Sequence, residues 1–599
     1  MSLALWAVLA SLLSVARVGG QVVEPTEGRT HYVAADPNAV DANRGTRARL
    51  WRTLQKAADA ARPGDTVVVE AGVYPETVYV RVDDVRFVAA QGARPVLDGQ
   101  GERECGFDIC ARGVTISGFE VRNYTANGIR LSDSARGPRE RRSPIDDAVI
   151  ELNHVHDIVS VEHERGTHVF GIHARANSPE NAKRLAIRNN TVHDVRGGGE
   201  SFGIFVSGAE DCVIRRNLCY FNDKAGIRLT DYRGPRQNCE RNLIEGNICI
   251  CNCTVGIETN SVMAPASQTT IRHNFCGWGN LGMNPKHCIN AHLIHNTICG
   301  NLETGVIINA PDFDVRPVVK NNILAGQPVG FHEAAGIVEG LVLDWNLYQP
   351  GVLPGCLFWQ RHWDDMCFTV DEMRAKGWEA NGRAGDPLFV APDRGDYRPQ
   401  EGSPARGAAE DGTDLGASRD VLTHVGAERA WGLDRIPDLG EILLSVKAVS
   451  SVSADPPGPY FPQNPGYGGE QAVDRSRITY WCPGGVEGEW IAFDLPGEEP
   501  YVLDHFIVLK RWVRDYQQML YKDLRLWVRG PGEADWQAVP ATFTAYPWFS
   551  GSIFALPPGV RASEVKLEIL DNFGGETVHV FEFMLFGRPA AAGPRGPIR

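Results

Sequence analysis

The chain is short of positive charge: 60 Lys and Arg stand against 74 Asp and Glu, a formal net charge of −14. Its overall field therefore opposes nonspecific binding to nucleic acid or to an anionic membrane, and neither partner is expected; any basic groove must be local. Long apolar runs are also scarce. Only Leu3 to Val15 forms one, followed by small residues with Ser14-Val15-Ala16 or Val18-Gly19-Gly20 as cleavage sites, the pattern of a secretory signal peptide over residues 1–20. No other segment is apolar over the length needed to span a bilayer. Helical periodicity is nearly absent, aromatics make up 9% of the chain, and Gly (64) and Pro (37) are frequent, so many short strands joined by turns are expected. The fourteen cysteines contain no Cys-x-x-Cys pair, which argues against a zinc cluster.

What the chain does have is a repeat. A glycine followed by a large apolar residue recurs at Gly128-Ile129, Gly171-Ile172, Gly203-Ile204, Gly226-Ile227, Gly256-Ile257, Gly282-Met283, Gly305-Val306 and Gly330-Phe331. A second column keeps step with it, an asparagine closing an apolar segment at Asn153, Asn190, Asn217, Asn247, Asn274, Asn296 and Asn322. Two residues later come Val155, Val192, Cys219, Cys249, Cys276, Ile298 and Leu324, read as an inward row in which a thiol packs as a small hydrophobe. Cys105/Cys110 and Cys356/Cys367 are near enough in sequence to pair, and Cys249, Cys251 and Cys253 are read as alternating along one strand with their side chains on one face. Periods of this length signal a solenoid whose units bury their apolar faces only by stacking. The Asn column then reads as structural, each amide pairing with its copy in the next coil and tolerating a left-handed backbone.

Three features before the repeat occur in a telling order: the Asp/Asn/Gly-rich turn from Asp36 to Thr46, the helix RTLQKAADAA near Trp51 to Ala61, and the Pro-Gly-Asp turn leading to Gly72-Val73-Tyr74. Together they resemble the N-terminal cap of secreted right-handed parallel β-helix proteins of the pectate-lyase-like superfamily. The resemblance implies an all-β fold with three parallel sheets over residues 30–417, its exit segment at Asp386 to Val390, GDYRP and GSPARGA. After a linker at 418–440, strand-like runs such as WIAFDL, HFIVLKRW, DLRLWVRG and VKLEIL predict a β-sandwich over 441–589, with a disordered tail at 590–599. Ala472-Val473-Asp474, Thr479-Tyr480-Trp481 and Trp490 to Leu495 give this part its resemblance to the discoidin-like (coagulation factor C-type), galactose-binding carbohydrate module. That resemblance implies a calcium ion near Asp474 and Glu582. Trp512 and Trp548, in loop-like contexts, are the candidate sugar platforms.

Side chains alternate along a strand, so if the apolar residue after each glycine points inward, the second and fourth residues point out. The second-position column is Arg130, His173, Phe205, Arg228, Glu258, Asn284, Ile307 and His332; the fourth is Ser132, Arg175, Ser207, Thr230, Asn260, Lys286, Asn309 and Ala334. An acidic protein has gathered cations into one stripe. The reading is a groove for a uronate-containing polysaccharide, with Arg130, Arg175, Asn260, Asn284 and Tyr232 as binding residues; an ordinary solvated face is the plainer alternative. β-Elimination needs carboxylate neutralisation, a base and an acid, for which Lys286, Arg228, His173 and Tyr232 are available. Glu258 with Asp231 and Asn260 suits calcium, and an ion pair with Arg228 is the competing role for Glu258. Asp231 and Glu258 also supply the carboxyl pair a glycoside hydrolase requires, although no polygalacturonase-like Asn-Thr-Asp, Asp-Asp and Gly-His-Gly set is present. The third possibility is a non-catalytic adhesive solenoid. His156 and His193, each three residues after its Asn, stack in successive coils, where they either bind a transition metal or line a surface turn. A monomer is expected.

Overall fold

The computed structural model describes residues 28–135, 140–160, 168–177, 182–197, 200–230, 239–260, 268–286, 290–308, 316–333, 340–351, 355–360, 365–392, 395–418, 439–453, 467–476, 480–510, 521–545, 551–575 and 578–592. Among these residues, three sheets of 12 strands run the length of a parallel β-helix, each strand bonded to its counterpart one coil away. The first sheet runs from Thr30–Val33 to Val342–Asp344 and the second from Val78–Val80 to Cys356–Gln360, where antiparallel Asp365–Cys367 ends it. The third runs from Gly72–Tyr74 to Arg383–Ala384. The expected right-handed parallel β-helix is thus the architecture of this part of the chain.

The glycine repeat lies on the second sheet, in strict register: Ile129 pairs with Ile172, Ile172 with Ile204, Ile204 with Ile227 and Ile227 with Ile257. The glycine is required for space. A Cβ on Gly128 would stand 2.4 Å from Val155 Cγ1 and 2.7 Å from the Gly171 carbonyl oxygen, and one on Gly256 would stand 2.9 Å from Cys276 Sγ. Both columns of the sequence therefore meet at one corner, where the inward residue of the third sheet passes beneath the second. Cys219, Cys249 and Cys276 stack there in register, each at most 1% exposed. The row of Cys249, Cys251 and Cys253 does not stay on one face. Its strand ends at Ile250 and Cys251 turns left-handed (φ 49°), so Cys249 enters the coil core while Cys251 and Cys253 join the apolar layer outside it. Cys105, Cys110 and Cys356 are free thiols, so neither Cys105/Cys110 nor Cys356/Cys367 is joined.

Asparagines fill the turn between the first and third sheets. Asn217 Nδ2 donates to Asn247 Oδ1 (3.0 Å) and to the Ile187 carbonyl (2.9 Å), while Asn217 Oδ1 accepts from the amide and backbone N–H of Asn190. The ladder runs on through Asn322 to Asn346, whose amide meets the buried carboxylate of Glu379 at 2.7 Å. The left-handed residue is the one before each ladder Asn, namely Leu152, Asn189, Arg216, Gly246, His273, His295, Asn321 and Trp345. Side chains that disfavour that region are held there because the turn, once bonded to its neighbours on both sides, overdetermines the backbone.

At the N-terminal end the helix Leu54–Ala60 lays Leu54, Ala57 and Ala58 over the first coils, capped by Thr53, and the Glu76 carboxylate accepts from the N–H groups of Leu54 and Gln55. This covers apolar core and strand edges that a bare solenoid end would expose. The C-terminal part is a sandwich of a five-stranded sheet, including Glu582–Pro589 and Tyr501–Leu509, and a six-stranded sheet, including Trp490–Asp494 and Glu564–Asn572. It packs on the outer face of the third sheet. Leu218, Tyr220, Ile248, Ile250 and Phe275 form one buried cluster with Ile507, Leu509, Ile553, Met584 and Phe586.

Candidate functional site

The outward row of the second sheet holds the sequence-predicted residues in register, Arg130 beside His173, His173 beside Phe205, Phe205 beside Arg228, Arg228 beside Glu258 and Glu258 beside Asn284. The fourth-position row likewise sets Thr230 beside Asn260 and Asn260 beside Lys286. Yet these residues do not converge on one centre. His173 and Lys286 are four strands apart, ~19 Å at the usual interstrand spacing, so they cannot act on the same bond. The row divides into three neighbourhoods.

At the N-terminal end, Arg130 Nη2 donates to Asp108 Oδ2 (2.6 Å), and Arg81 approaches the other oxygen at 3.4 Å. His173 follows, buried against Phe170 with ring centroids 4.0 Å apart, its Nδ1 3.0 Å from Asn127 Oδ1. Burial, reinforced by Arg175 and Arg130, pushes its imidazole down to about 3, which keeps it neutral. Its Nε2 has no hydrogen-bond partner among the described residues. Asn127 and Phe170 stand immediately before their glycines, so that position also faces outward, and Phe170, Phe202 and Phe205 form an apolar cluster on the outside of the coils. Arg175, partly exposed, ends the same strand.

The middle neighbourhood is an ion cluster. Arg228, 6% exposed, places Nη1 3.4 Å from Glu200 Oε1 and 3.5 Å from Glu258 Oε2, and its guanidinium lies over the Phe202 ring at 5.0 Å. Lys224 Nζ reaches Glu200 at 2.9 Å. Burial works against the charge of Glu200, but Lys224 and Arg228 outweigh it and hold the carboxyl below its ordinary range. The Arg228–Glu258 pair is the plainer of the two roles the sequence left open for Glu258. Glu200 and Lys224 escaped the sequence reading because they precede the repeat glycines. The signal was the eight-residue strand Glu200–Ser207, which starts three residues before its glycine.

The third neighbourhood comprises Asn260, Asn284 and Lys286. All three are partly exposed, the Oδ1 atoms of both asparagines lack hydrogen-bond partners among the described residues, and Lys286 has no ion pair among them. Asp231, Tyr232, Trp512 and Trp548 lie outside the described residues. In the sandwich, Glu582 is 2% exposed and its carboxyl is driven well above the ordinary range by burial and by the neighbouring Asp474 carboxylate. Glu582 Oε2 accepts from the Arg475 N–H at 3.1 Å and Asp474 Oδ1 from the Ser476 N–H at 3.0 Å. Glu582 is buried and Asp474 partly exposed, and both are oxygen donors of the kind that a hard cation such as calcium takes. Trp481 is fully buried and serves the sandwich core.

A different set of groups stands on the third sheet. His156 pairs in register with His193, their rings stacked at 5.0 Å, and His154 Nε2 meets His193 Nε2 at 2.8 Å. His156 Nδ1 is 2.8 Å from Asp157 Oδ2 and His193 Nδ1 is 2.7 Å from Asp194 Oδ2. The other Asp194 oxygen bonds His505 of the sandwich at 2.9 Å.

Against known proteins, the family described as "Right handed beta helix region" matches residues 109–274. The uncharacterized protein YwoF of Bacillus subtilis (strain 168) is 25% identical over 226 residues, 35% of this chain; the match spans 45% of the length of that relative. Among solved structures, one titled as a rhamnogalacturonan lyase is 13% identical, with 61% of this chain and 91% of that chain covered and a TM-score of 0.37. XylC in complex with xylose is 12% identical over 56% of this chain and 86% of its own, TM-score 0.33. CpGH89CBM32-5 of Clostridium perfringens, in complex with GalNAc-β-1,3-galactose, is 19% identical over 24% of this chain and 99% of its own, TM-score 0.20.

Proposed function

We propose that this protein is a secreted enzyme that lays an acidic, uronate-containing polysaccharide along the outer face of the second sheet and cuts it by β-elimination. The observation that carries the reading is the run Arg228, Asn260, Asn284, Lys286: a buried guanidinium with an unpartnered Nε, two amides with unpartnered oxygens, and an amine without an ion pair among the described residues, on three successive strands. Such a row offers donors to a uronate carboxylate and a base for the carbon acid beside it. Lys286 takes the C5 proton, the glycosidic C–O bond breaks as the C=C bond forms, and the leaving oxygen takes its proton from solvent water. Arg228, fixed by Glu200 and Glu258, orients the carboxylate. Arg130, His173 and Arg175, two or more strands away, serve neighbouring sugars of the same chain.

Calcium is proposed at Asp474 and Glu582, where it would join the sandwich loops, and Glu258 with Asp231 is the second candidate pair. A second reading has one observation in its favour. Glu200 and Glu258 both touch Arg228 Nη1, so their carboxylates lie within about 7 Å, inside the range a glycoside hydrolase uses. The pairing that holds Glu200 ionised disfavours it as the acid.

Digestion of a panel of acidic polysaccharides separates the readings. A lyase releases unsaturated, ultraviolet-absorbing ends, a hydrolase releases reducing ends without that absorbance, and an adhesive solenoid releases neither. Lys286→Ala should lower the cleavage rate by about 10²- to 10⁴-fold and Arg228→Ala by at least as much. Full activity in both variants would remove the assignment.

A further inference from the structure

We propose that Glu120, His154, His156 and His193 form a binding site for a zinc-class divalent cation on the third sheet, bracing the junction between β-helix and sandwich. The site is independent of the second-sheet groove.

Glu120, His154 and His156 each present one ligand atom, all within 4.8 Å of one another. His154 Nε2 also lies 2.8 Å from His193 Nε2, and His156 Nε2 lies 3.5 Å from Glu120 Oε1. Parallel stacking creates this meeting, because in-register strands set Glu120 beside His154 and His156 beside His193.

Proton placement makes the cluster specific. A carboxylate only accepts, so Asp157 and Asp194 take the Nδ1–H of His156 and His193, and both rings then turn Nε2 inward. His156 Nε2 consequently faces a Glu120 oxygen, and the Nε2 atoms of His154 and His193 face each other. Ligand atoms converging in this way suit a shared cation. Glu120 already shares one oxygen with Arg122 Nη1 at 2.7 Å, which leaves its second oxygen for a metal. Imidazoles whose far nitrogen donates to a carboxylate are the orientation that zinc sites use, since the outer carboxylate fixes the tautomer and raises ligand basicity.

The size is right. Zinc binds nitrogen and oxygen at about 2.0–2.2 Å, so its ligand atoms stand ~3.3 Å apart in a tetrahedron, and small side-chain rotations bring these atoms to that spacing. His156 and Glu120 keep 13% and 22% of their side-chain surface exposed, so an ion has a path in. On the far side, Asp194 divides its oxygens between His193 and His505 of the sandwich, with Tyr220 stacked on His193 at 4.5 Å. A cation on His193 therefore fixes the carboxylate that ties the two parts together.

The test uses the full-length chain, stripped with a chelator and titrated with Zn²⁺ by calorimetry, with thermal unfolding read in parallel. The expected result is one equivalent of zinc and a higher Tm, with that equivalent lost in the His154→Gln/His156→Gln double variant and in Glu120→Gln. Asp157→Asn, which leaves all four ligands in place, should weaken binding about 10- to 100-fold. Equal zinc stoichiometry and affinity in wild type and both ligand variants, each shown to be folded by circular dichroism, would overturn the site. So would a folded wild type that binds no zinc. Ca²⁺ titrated in the same way should give no signal that the ligand variants abolish.

Discussion

The second and third sheets belong to the same coils, yet they solve the problem of stacking in opposite ways. On the second sheet opposite charges alternate, Arg130 on Asp108 and Arg228 between Glu200 and Glu258. At the third sheet and its turn, like stands on like: Asn on Asn, Cys on Cys, His on His. In-register parallel strands place each residue directly above its copy, so a column can repeat only if its side chain tolerates itself. Asparagine does, because its amide donates and accepts in one group; cysteine does, because it is effectively apolar; histidine does while neutral. Arginine and glutamate do so only where water screens them, as exposed Arg188 on Arg215, so in the buried part of the second-sheet row Arg228 is set against Glu258.

The sharpest way to break this contrast is to give the amide ladder a charge. Asn217→Asp removes the Nδ2 that donates to Asn247 and Ile187 and points an acceptor at an acceptor with no water to intervene. A loss of at least about 3 kcal/mol is expected, and Asn217→Ala, which also strips the Asn190 donors of their acceptor, should lose about 1–3 kcal/mol for each orphaned group. Urea unfolding of both variants checks these losses; a loss under about 1 kcal/mol in both would show that the ladder does not hold the turn.

How far the sequence disclosed these columns follows from the same physics. Gly-apolar and Asn columns repeat in the chain itself, so the fold and the ladder were legible. The left-handed positions were not, because Leu152, His273 and Trp345 carry no preference for that region and are held by their neighbours. Glu200, Lys224 and Glu120 were missed for a related reason: each joins its cluster from a neighbouring coil, at a position the repeat does not mark. Docking of the sandwich did leave a trace. Leu218-Cys219-Tyr220 and Ile248-Cys249-Ile250 are apolar without alternation, which marks strands covered on both faces.

The junction gives a pH-dependent test of a charged contact placed beside the histidine column. Burial alone would lower His505, but the Asp194 carboxylate, helped by Asp504, outweighs it and carries the imidazole up to about 9. A raised folded-state pKa means the contribution is complete below pH 6.5, the unfolded value, and is lost as pH rises through 9. Stability measured by urea unfolding should fall by about 1–3 kcal/mol between pH 6 and pH 9.5, and His505→Gln should flatten that fall. An unchanged slope in the variant would mean that the junction is held by its apolar cluster alone.

The smallest effect is expected at the cysteine column, where like-on-like stacking needs no polar complement at all. Cys219, Cys249 and Cys276 fill the space beneath the repeat glycines, and burial drives the thiols of Cys219 and Cys249 well above their ordinary range, so they stay protonated and unreactive. Cys219→Ala removes one sulfur from a packed row and should cost about 1 kcal/mol, and a reductant should leave the Tm of the wild type unchanged. A fall in Tm on reduction would mean that some cysteines are cross-linked, and the third sheet would then owe part of its stability to covalent bonds instead of to side chains that tolerate their own copies.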